Sequence, residues 1–327
     1  MAEALHIASG DLGGSNCRSA IVTYNGNEAS IDKNTYRSWD SKDERDFDRV
    51  LNNSIGETVR GFHGKIAGVA LAVAGPIPDH RTVLSAANTP CLHHRTPYDI
   101  AATLEQTFDV ESIAANDVEA AAAGEVAKGA LQGKKWARLE NIGTGWGGAA
   151  ILDGMAVSLE PGHVWLPKNG ALCGCGKRDC AEATLSGGAI RKRLIEMDQA
   201  GAITLPEGID PCAFADQQAL ENVQWAVEFY TEIAHDIGNI WGSNLNNCPL
   251  MTDIVYMGSF LVRAMQIEFF RQQIREAMLT RTMFPEQHAN VKIQEVSAPR
   301  LASGESLGPI YGAASIWKRL HDEHEGA

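Results

Sequence analysis

His163, Cys173, Cys175 and Cys180 place one imidazole and three thiols within eighteen residues of this chain. Such ligands suit a closed, four-coordinate structural zinc site with no position left for water. A zinc-bound histidine keeps a second ring nitrogen, which can face a substrate while the metal fixes the ring, and Glu160 and Glu182 flank the cluster in sequence. The competing explanation is that the cysteines are small hydrophobes scattered through a core. Against it, three of the seven cysteines fall within eight residues, in a glycine-rich stretch without hydrophobic periodicity.

Two glycine turns carry a second kind of chemistry. Asp11-Leu-Gly-Gly-Ser15 and Ile142-Gly-Thr-Gly-Trp-Gly-Gly148 each lie between strand-like runs. Turns of this make-up present backbone N–H groups to phosphate oxygens, and a carboxylate such as Asp11 can hold a hydrated Mg²⁺. Neither turn ends in the Gly-Lys-Ser/Thr of a P-loop, and neither opens a helix as a dinucleotide fingerprint does. Asn116-Asp117 ends a strand-like run between the two turns. A carboxylate there caps the following helix, either as its whole role or while also accepting the proton of a hydroxyl that attacks a γ-phosphate.

Those residues need elements to position them. Leu5–Ala8 with Arg18–Tyr24, and the run 137–151, predict hairpins; between the first hairpin and a helix over 47–62 the chain reads as a polar connection. Strands are predicted over 66–74, 110–114 and 254–257, and helices over 98–108, 118–131, 188–197, 225–245 and 309–320. On the helix over 225–245, Tyr230, Ile233, Ile237 and Trp241 form one apolar stripe, read as core. The pattern implies two similar α/β halves with a boundary near residue 118. A net charge of −13 without a Lys/Arg cluster disfavours nucleic acid and anionic membranes as partners. No apolar run is long enough to span a bilayer, the N-terminus lacks the features of a signal peptide, and the odd cysteine count agrees with a reducing compartment, so the reading is cytoplasmic.

Taken together the motifs resemble the ROK family of sugar kinases and repressors, within the actin-like, hexokinase-like ATPase superfamily. Asp11-Leu-Gly-Gly-Ser-Asn-Cys-Arg18 is similar to the family's first phosphate motif, with Ser15 in place of the usual threonine, and Gly143-Thr-Gly-Trp-Gly-Gly148 to its second. Glu160-Pro-Gly-His163 and Cys173-Gly-Cys-Gly-Lys-Arg-Asp-Cys180-Ala-Glu182 resemble the family signature, with Asp179 where glycine is usual. Val255-Tyr-Met-Gly-Ser259 resembles the adenosine motif, Ser259 replacing its second glycine.

The resemblance implies a two-domain α/β actin-like ATPase (ribonuclease H-like) fold with an active-site cleft between the domains. The small domain would span 1–117, a C-terminal helix of about 309–322 packing back onto it, and the larger domain 118–308, with the zinc loop at 160–182. It further implies Asp117 as general base, with Asn88, Asn116, Glu160, His163 and Glu182 contacting a sugar. ATP and Mg²⁺ would be held by Asp11, Gly13, Gly14, Ser15, Arg18, Gly143, Thr144, Gly145, Gly258 and Ser259, and structural zinc by His163, Cys173, Cys175 and Cys180. The implied activity is ATP-dependent phosphorylation of a hexose 6-hydroxyl, glucose first, with N-acetylmannosamine, N-acetylglucosamine, fructose and allose open, by a homodimer or homotetramer. A sugar-sensing regulator without catalysis is the alternative; the start of the first motif at Asp11 leaves no room for the helix-turn-helix such proteins carry. An actin-like ATPase or chaperone ranks last, having no need of the His-Cys cluster or Asn116-Asp117.

Overall fold

The computed structural model describes residues 4–86, 89–168 and 170–326. β1 (Leu5–Leu12) pairs antiparallel with β2 (Asn16–Asn25), setting Asp11 opposite Arg18, and β2 pairs antiparallel with β3 (Glu28–Asp40). Helices α1 (Phe47–Asn53) and α2 (Ile55–Arg60) lead to β4 (Gly68–Val73), parallel to β1. A short ribbon of β5 (Thr82–Val83) and β6 (Tyr98–Asp99) and then α3 (Ile100–Phe108) precede β7 (Glu111–Asn116), parallel to β4. Every residue of β4 is buried, as expected of a parallel strand covered on both faces.

After α4 (Asp117–Lys128) the plan repeats. β8 (Trp136–Ile142), β9 (Trp146–Leu152), β10 (Met155–Leu159), β11 (Asp253–Met257) and β12 (Lys292–Glu295) form a sheet in the order β10-β9-β8-β11-β12. The first sheet runs β3-β2-β1-β4-β7, so each sheet sets its third, second, first, fourth and fifth strands side by side. The remaining helices are α5 (Glu182–Leu185), α6 (Gly187–Gln199), α7 (Pro211–Leu220), α8 (Gln224–Asn247), α9 (Ser259–Ala264), α10 (Glu268–Arg281), α11 (Pro285–His288) and α12 (Gly308–Glu325). No helix of the described residues is long and apolar enough to cross a membrane.

Two compact units result: Met1–Lys134 with Ala150–Ser158 and Ser297–Ala327, and Lys135–Ala149 with Leu159–Val296. The division falls after α4, not at the expected 117/118. The cause is the alanine-rich face of α4, whose Ala120 and Ala123 share a core with Ala70 and Ala72 of β4 and with Ile310, Ala313, Ala314 and Trp317 of α12. Helix α12 thus belongs to the first unit. The carboxylate of Glu125, 2% exposed, ties down the ends of this region, accepting the N–H groups of Ala130, Ser297 and Ala298 at 2.7, 2.9 and 2.7 Å. In the second unit the α8 stripe of Tyr230, Ile233, Ile237 and Trp241 is core.

Two further expectations change. The polar connection after β2 is in fact β3, an edge strand on which only Ala29 and Thr35 are buried, so no apolar alternation marks it in sequence. The single helix over 47–62 breaks at Ser54, whose Oγ donates to Val50 O at 2.6 Å beside its own backbone N–H at 3.1 Å.

The α4–α12 crossing is the tightest helix contact in the first unit. A Cβ on Gly312 would lie 1.7 Å from Ala120 O, and one on Gly124 would lie 2.0 Å from Gly308 O. Gly312→Ala is expected to destabilise the protein by about 1–3 kcal/mol, the usual range for overpacking, read from the denaturant midpoint. An unchanged midpoint would show that the helices can part at no cost.

Candidate active site and metal centre

In the first unit the β1–β2 turn closes with Gly13 N–H donating to Asn16 O at 3.0 Å. Neither Gly13 nor Gly14 has a positive φ, and a Cβ on Gly13 would meet only Asn16 O, at 3.8 Å. The turn itself does not require glycine at Gly13. A small residue there keeps open the space through which a ligand reaches the backbone. Asp11, 6% exposed, forms an ion pair with Arg18, its cross-strand partner, and Arg18 also reaches Ser306 O at 3.5 Å. The carboxylate expected to hold a hydrated cation is therefore already engaged by a guanidinium, and the two would compete for it. Ser15 and Gly14 are exposed at the tip.

Asn116 ends β7 and caps α4. Its Oδ1 accepts from Val118 N at 2.9 Å and Glu119 N at 3.0 Å, while Nδ2 donates to Gly75 O at 3.0 Å. The expectation that Asp117 caps the helix, with or without a role as base, changes in one respect: the N-cap position belongs to its neighbour. Asn116 takes the cap, and Asp117 is the first helical residue, partly buried, with Oδ1 accepting from Val118 N at 3.0 Å. Capping leaves Asn116 one amide hydrogen with which to meet a sugar. Asn88 lies outside the described residues. Sequence reasoning overlooked His80 and Glu119: His80, at φ 53°, places Nε2 3.1 Å from Oε1 of Glu119, which is 4% exposed and two residues beyond Asp117.

In the second unit the glycine loop is built from contacts no side chain could enter. Gly187 N–H donates to Gly143 O at 2.7 Å and Gly188 N–H to Thr144 O at 3.2 Å, so the N-terminus of α6 takes up the loop's carbonyls. Gly258, at φ 94°, would place a Cβ 2.4 Å from Ile142 O, which is why glycine stands immediately before α9 and Ser259. Gly143 N–H closes the loop onto Gly145 O at 3.0 Å and is thereby committed within the loop. Beneath the loop, fully buried Glu140 accepts from Arg138 Nε and Trp146 Nε1, each at 2.8 Å. Neither Arg138, Glu140 nor Trp146 was singled out from the sequence. A charged pair two residues apart on a strand, just before a glycine loop, is the signal that could have found it.

The ligand atoms of His163, Cys173, Cys175 and Cys180 all lie within 4.8 Å of one another. Cys173 Sγ is 3.7 Å from His163 Nδ1, and Cys175 Sγ is 3.6 Å from Cys180 Sγ. His163 Nε2 faces away, 3.9 Å from Glu160 Oε2. Three sulfurs and one ring nitrogen gathered from one loop fit a tetrahedral zinc ion, and these four residues would hold it. Asp179, standing where the family has glycine, adopts φ 59°, and its Oδ1 accepts from Lys168 N at 3.2 Å. A left-handed backbone explains the family's glycine, and aspartate tolerates it better than most residues.

Charge at the cluster is unevenly set. Burial pushes the Cys173 thiol up to about 12, whereas the Lys177 amide holds Cys175 below its ordinary value. Burial, reinforced by Glu182 and opposed by His163, raises the Glu160 carboxyl. Glu182 bridges the cluster and the glycine loop, with Oε2 accepting from Trp146 N at 2.8 Å and Oε1 lying 3.7 Å from Cys173 Sγ.

A sequence profile of the ROK family matches residues 8–319. The chain belongs to the ROK family. An N-acetylmannosamine kinase of Haemophilus influenzae (strain 86-028NP) is 28% identical over 151 residues, 43% of this chain and 48% of that protein. The chain thus spans about half the length of that curated relative. Among solved structures, the ROK hexokinase of Thermus thermophilus superposes with a TM-score of 0.75 at 20% identity, covering 97% of this chain and all of that one. A ROK transcriptional regulator homologous to the Escherichia coli Mlc protein gives 0.76 at 22% identity, covering 97% of this chain and 79% of that one. The fold is the two-domain actin-like ATPase fold of ROK sugar kinases.

Protein purified without added zinc is expected to contain about one zinc per chain, and Cys175→Ser to lose it together with thermal stability. Because the buried thiols must lose protons to bind, retention should fall as the pH is lowered, measured by metal analysis after dialysis. Absence of metal at every pH would exclude the four-ligand site.

Proposed function

We propose that this ROK protein is a cytoplasmic, ATP-dependent sugar kinase that phosphorylates the 6-hydroxyl of a hexose or N-acetylhexosamine. The observation that carries the reading is the arrangement at the start of α4, where Asn116 takes the N-cap position and Asp117 begins the helix, its Oδ1 meeting the same Val118 N–H. A carboxylate at the C-terminal end of a strand, in the first turn of a helix, lies where the helix dipole favours negative charge, and the cap fixes the turn that carries it. That suits a base accepting the proton of the attacking hydroxyl.

The other roles follow from chemistry already described. The loops at 11–15 and 143–148 receive phosphates through backbone amides, a solution that an acidic chain without a lysine cluster needs. Mg²⁺–ATP, when bound, supplies the transferable phosphoryl group and the charge that offsets its oxygens. Arg18 would yield Asp11 to that cation and turn to a phosphate oxygen. Glu160 and His163 Nε2 offer hydrogen-bond partners for sugar hydroxyls, with the ring of His163 fixed through Nδ1. Glucose is the first candidate from the family resemblance, and N-acetylmannosamine is the one the curated relatives' names favour.

A non-catalytic sugar-sensing regulator is the second reading. The Asp11–Arg18 pair favours it, because it occupies the carboxylate a catalytic cation needs, as does the likeness to a ROK regulator. An ATP-consumption assay over a panel of hexoses and N-acetylhexosamines separates the two. Sugar-dependent ADP release, greatest with glucose or N-acetylmannosamine, is expected. Sugar binding by calorimetry with no ADP release from any sugar would overturn the kinase reading in favour of the sensor.

A further inference from the structure

Trp146 is pinned at two points by carboxylates from different segments of the second unit. Its indole Nε1–H donates to Glu140 Oε2 and its backbone N–H to Glu182 Oε2, both at 2.8 Å, and the residue is 2% exposed. Glu140 is itself anchored by Arg138, which fixes the indole to β8. Glu182 stands two residues beyond Cys180 with its other oxygen 3.7 Å from Cys173 Sγ, which fixes the amide to the thiol cluster.

The two segments are pressed together along their length. A Cβ on Gly145 would come within 2.8 Å of Glu182 Oε2, one on Gly162 within 2.4 Å of Trp146 O, and one on Gly148 within 2.7 Å of Pro161 Cγ. The turn carrying Glu160 and His163 and the loop carrying Gly143 to Gly148 therefore move as one packed body, since close-packed contacts transmit displacement and do not absorb it.

We infer that Trp146 is a positioning residue through which the His-Cys cluster sets the conformation of the second glycine loop, so that zinc loading governs nucleotide affinity even when no sugar is present. The inference rests on the kinase reading for its ligand. It reaches past the sugar end of the site, where the cluster's role would otherwise stop. The peptide joining Gly145 to Trp146 is oriented by the Glu182 contact, and neighbouring amides follow that peptide. Glu182 keeps its place only while the loop from Cys173 to Cys180 stays closed, which depends on ligands sharing a cation. A displacement of an ångström at loop amides is enough to lose much of their hold on a phosphate.

The test is titration of the chain with the magnesium complex of a non-hydrolysable ATP analogue, without sugar, before and after zinc removal by a chelator. Stripping zinc from the wild type is expected to weaken binding about five-fold or more, within the range of coupling between sites. Glu182→Ala and Trp146→Phe, each checked for retained zinc by metal analysis, should weaken it comparably while still loaded. Stripping zinc from Glu182→Ala should then add little, because the link is already cut. Zinc removal should also change the tryptophan emission of the wild type and leave most of that change out of Trp146→Phe, a readout that needs no nucleotide. Should Glu182→Ala not fold, Trp146→Phe, which keeps the ring and the backbone amide, carries the comparison. Unchanged nucleotide affinity in the zinc-loaded variants, or in the stripped wild type, overturns the inference, as does emission indifferent to zinc. Failure of the loaded wild type to bind nucleotide at all would instead overturn the kinase reading together with the nucleotide part of this one.

Discussion

Backbone segments of the second unit approach one another at distances that exclude any side chain. Sites of contact include Gly258 against Ile142, Gly187 against Gly143 and Gly162 against Trp146, where an added Cβ would lie 2.4, 2.6 and 2.4 Å from the facing carbonyl oxygen. That closeness lets the α6 N-terminus take up the loop's carbonyls and brings the His163 turn under Trp146. A glycine-rich loop without such contacts opens locally at little cost. Here it is fixed from three sides by backbone, and its chemistry inherits that rigidity.

The electrostatic arrangement follows from the chain's acidity. With a net charge of −13, a molecule that acts on the proposed substrates would hold anionic phosphates without a field of lysines. Backbone amides provide partial positive charge with no titrating group. Buried carboxylates, meanwhile, serve as internal clamps: Glu125 takes three backbone N–H groups, and Glu140 takes a guanidinium and an indole. A buried carboxylate with every partner supplied by fixed donors holds its surroundings in one geometry, and losing one donor leaves an unpaired charge. Asp11, by contrast, is engaged by the guanidinium of Arg18 across the β1–β2 pair.

Much of this was legible from residue type and spacing. The His163–Cys180 cluster could be read because three cysteines within eight residues have few other uses, and the glycine turns because glycine pairs between β-rich runs mark hairpins. The two-half architecture could be read because the turns recur at matching places. Edge strand β3 could not, since a strand that buries so few side chains needs no apolar alternation. The true extent of the first unit was hidden for a related reason: the alanines on α4 look like helix propensity, and only the facing α12 reveals that they are an interface. Glu182 was legible as a member of the signature but not as the bridge to Trp146, because that contact joins residues thirty-six positions apart. Asn116 and Asp117 were legible as a pair, but which one caps the helix depended on where its first turn begins.

The central claim is that Asp117, set in the first turn of α4 by the Asn116 cap, is the base for phosphoryl transfer. The most direct measurement is the single-turnover rate of Asp117→Asn with the sugar the wild type accepts, alongside sugar affinity measured by calorimetry. The account predicts a rate lower by about 10²–10⁴-fold, the usual contribution of a positioned base, with sugar affinity within about three-fold of the wild type. A single-turnover rate close to that of the wild type would contradict it.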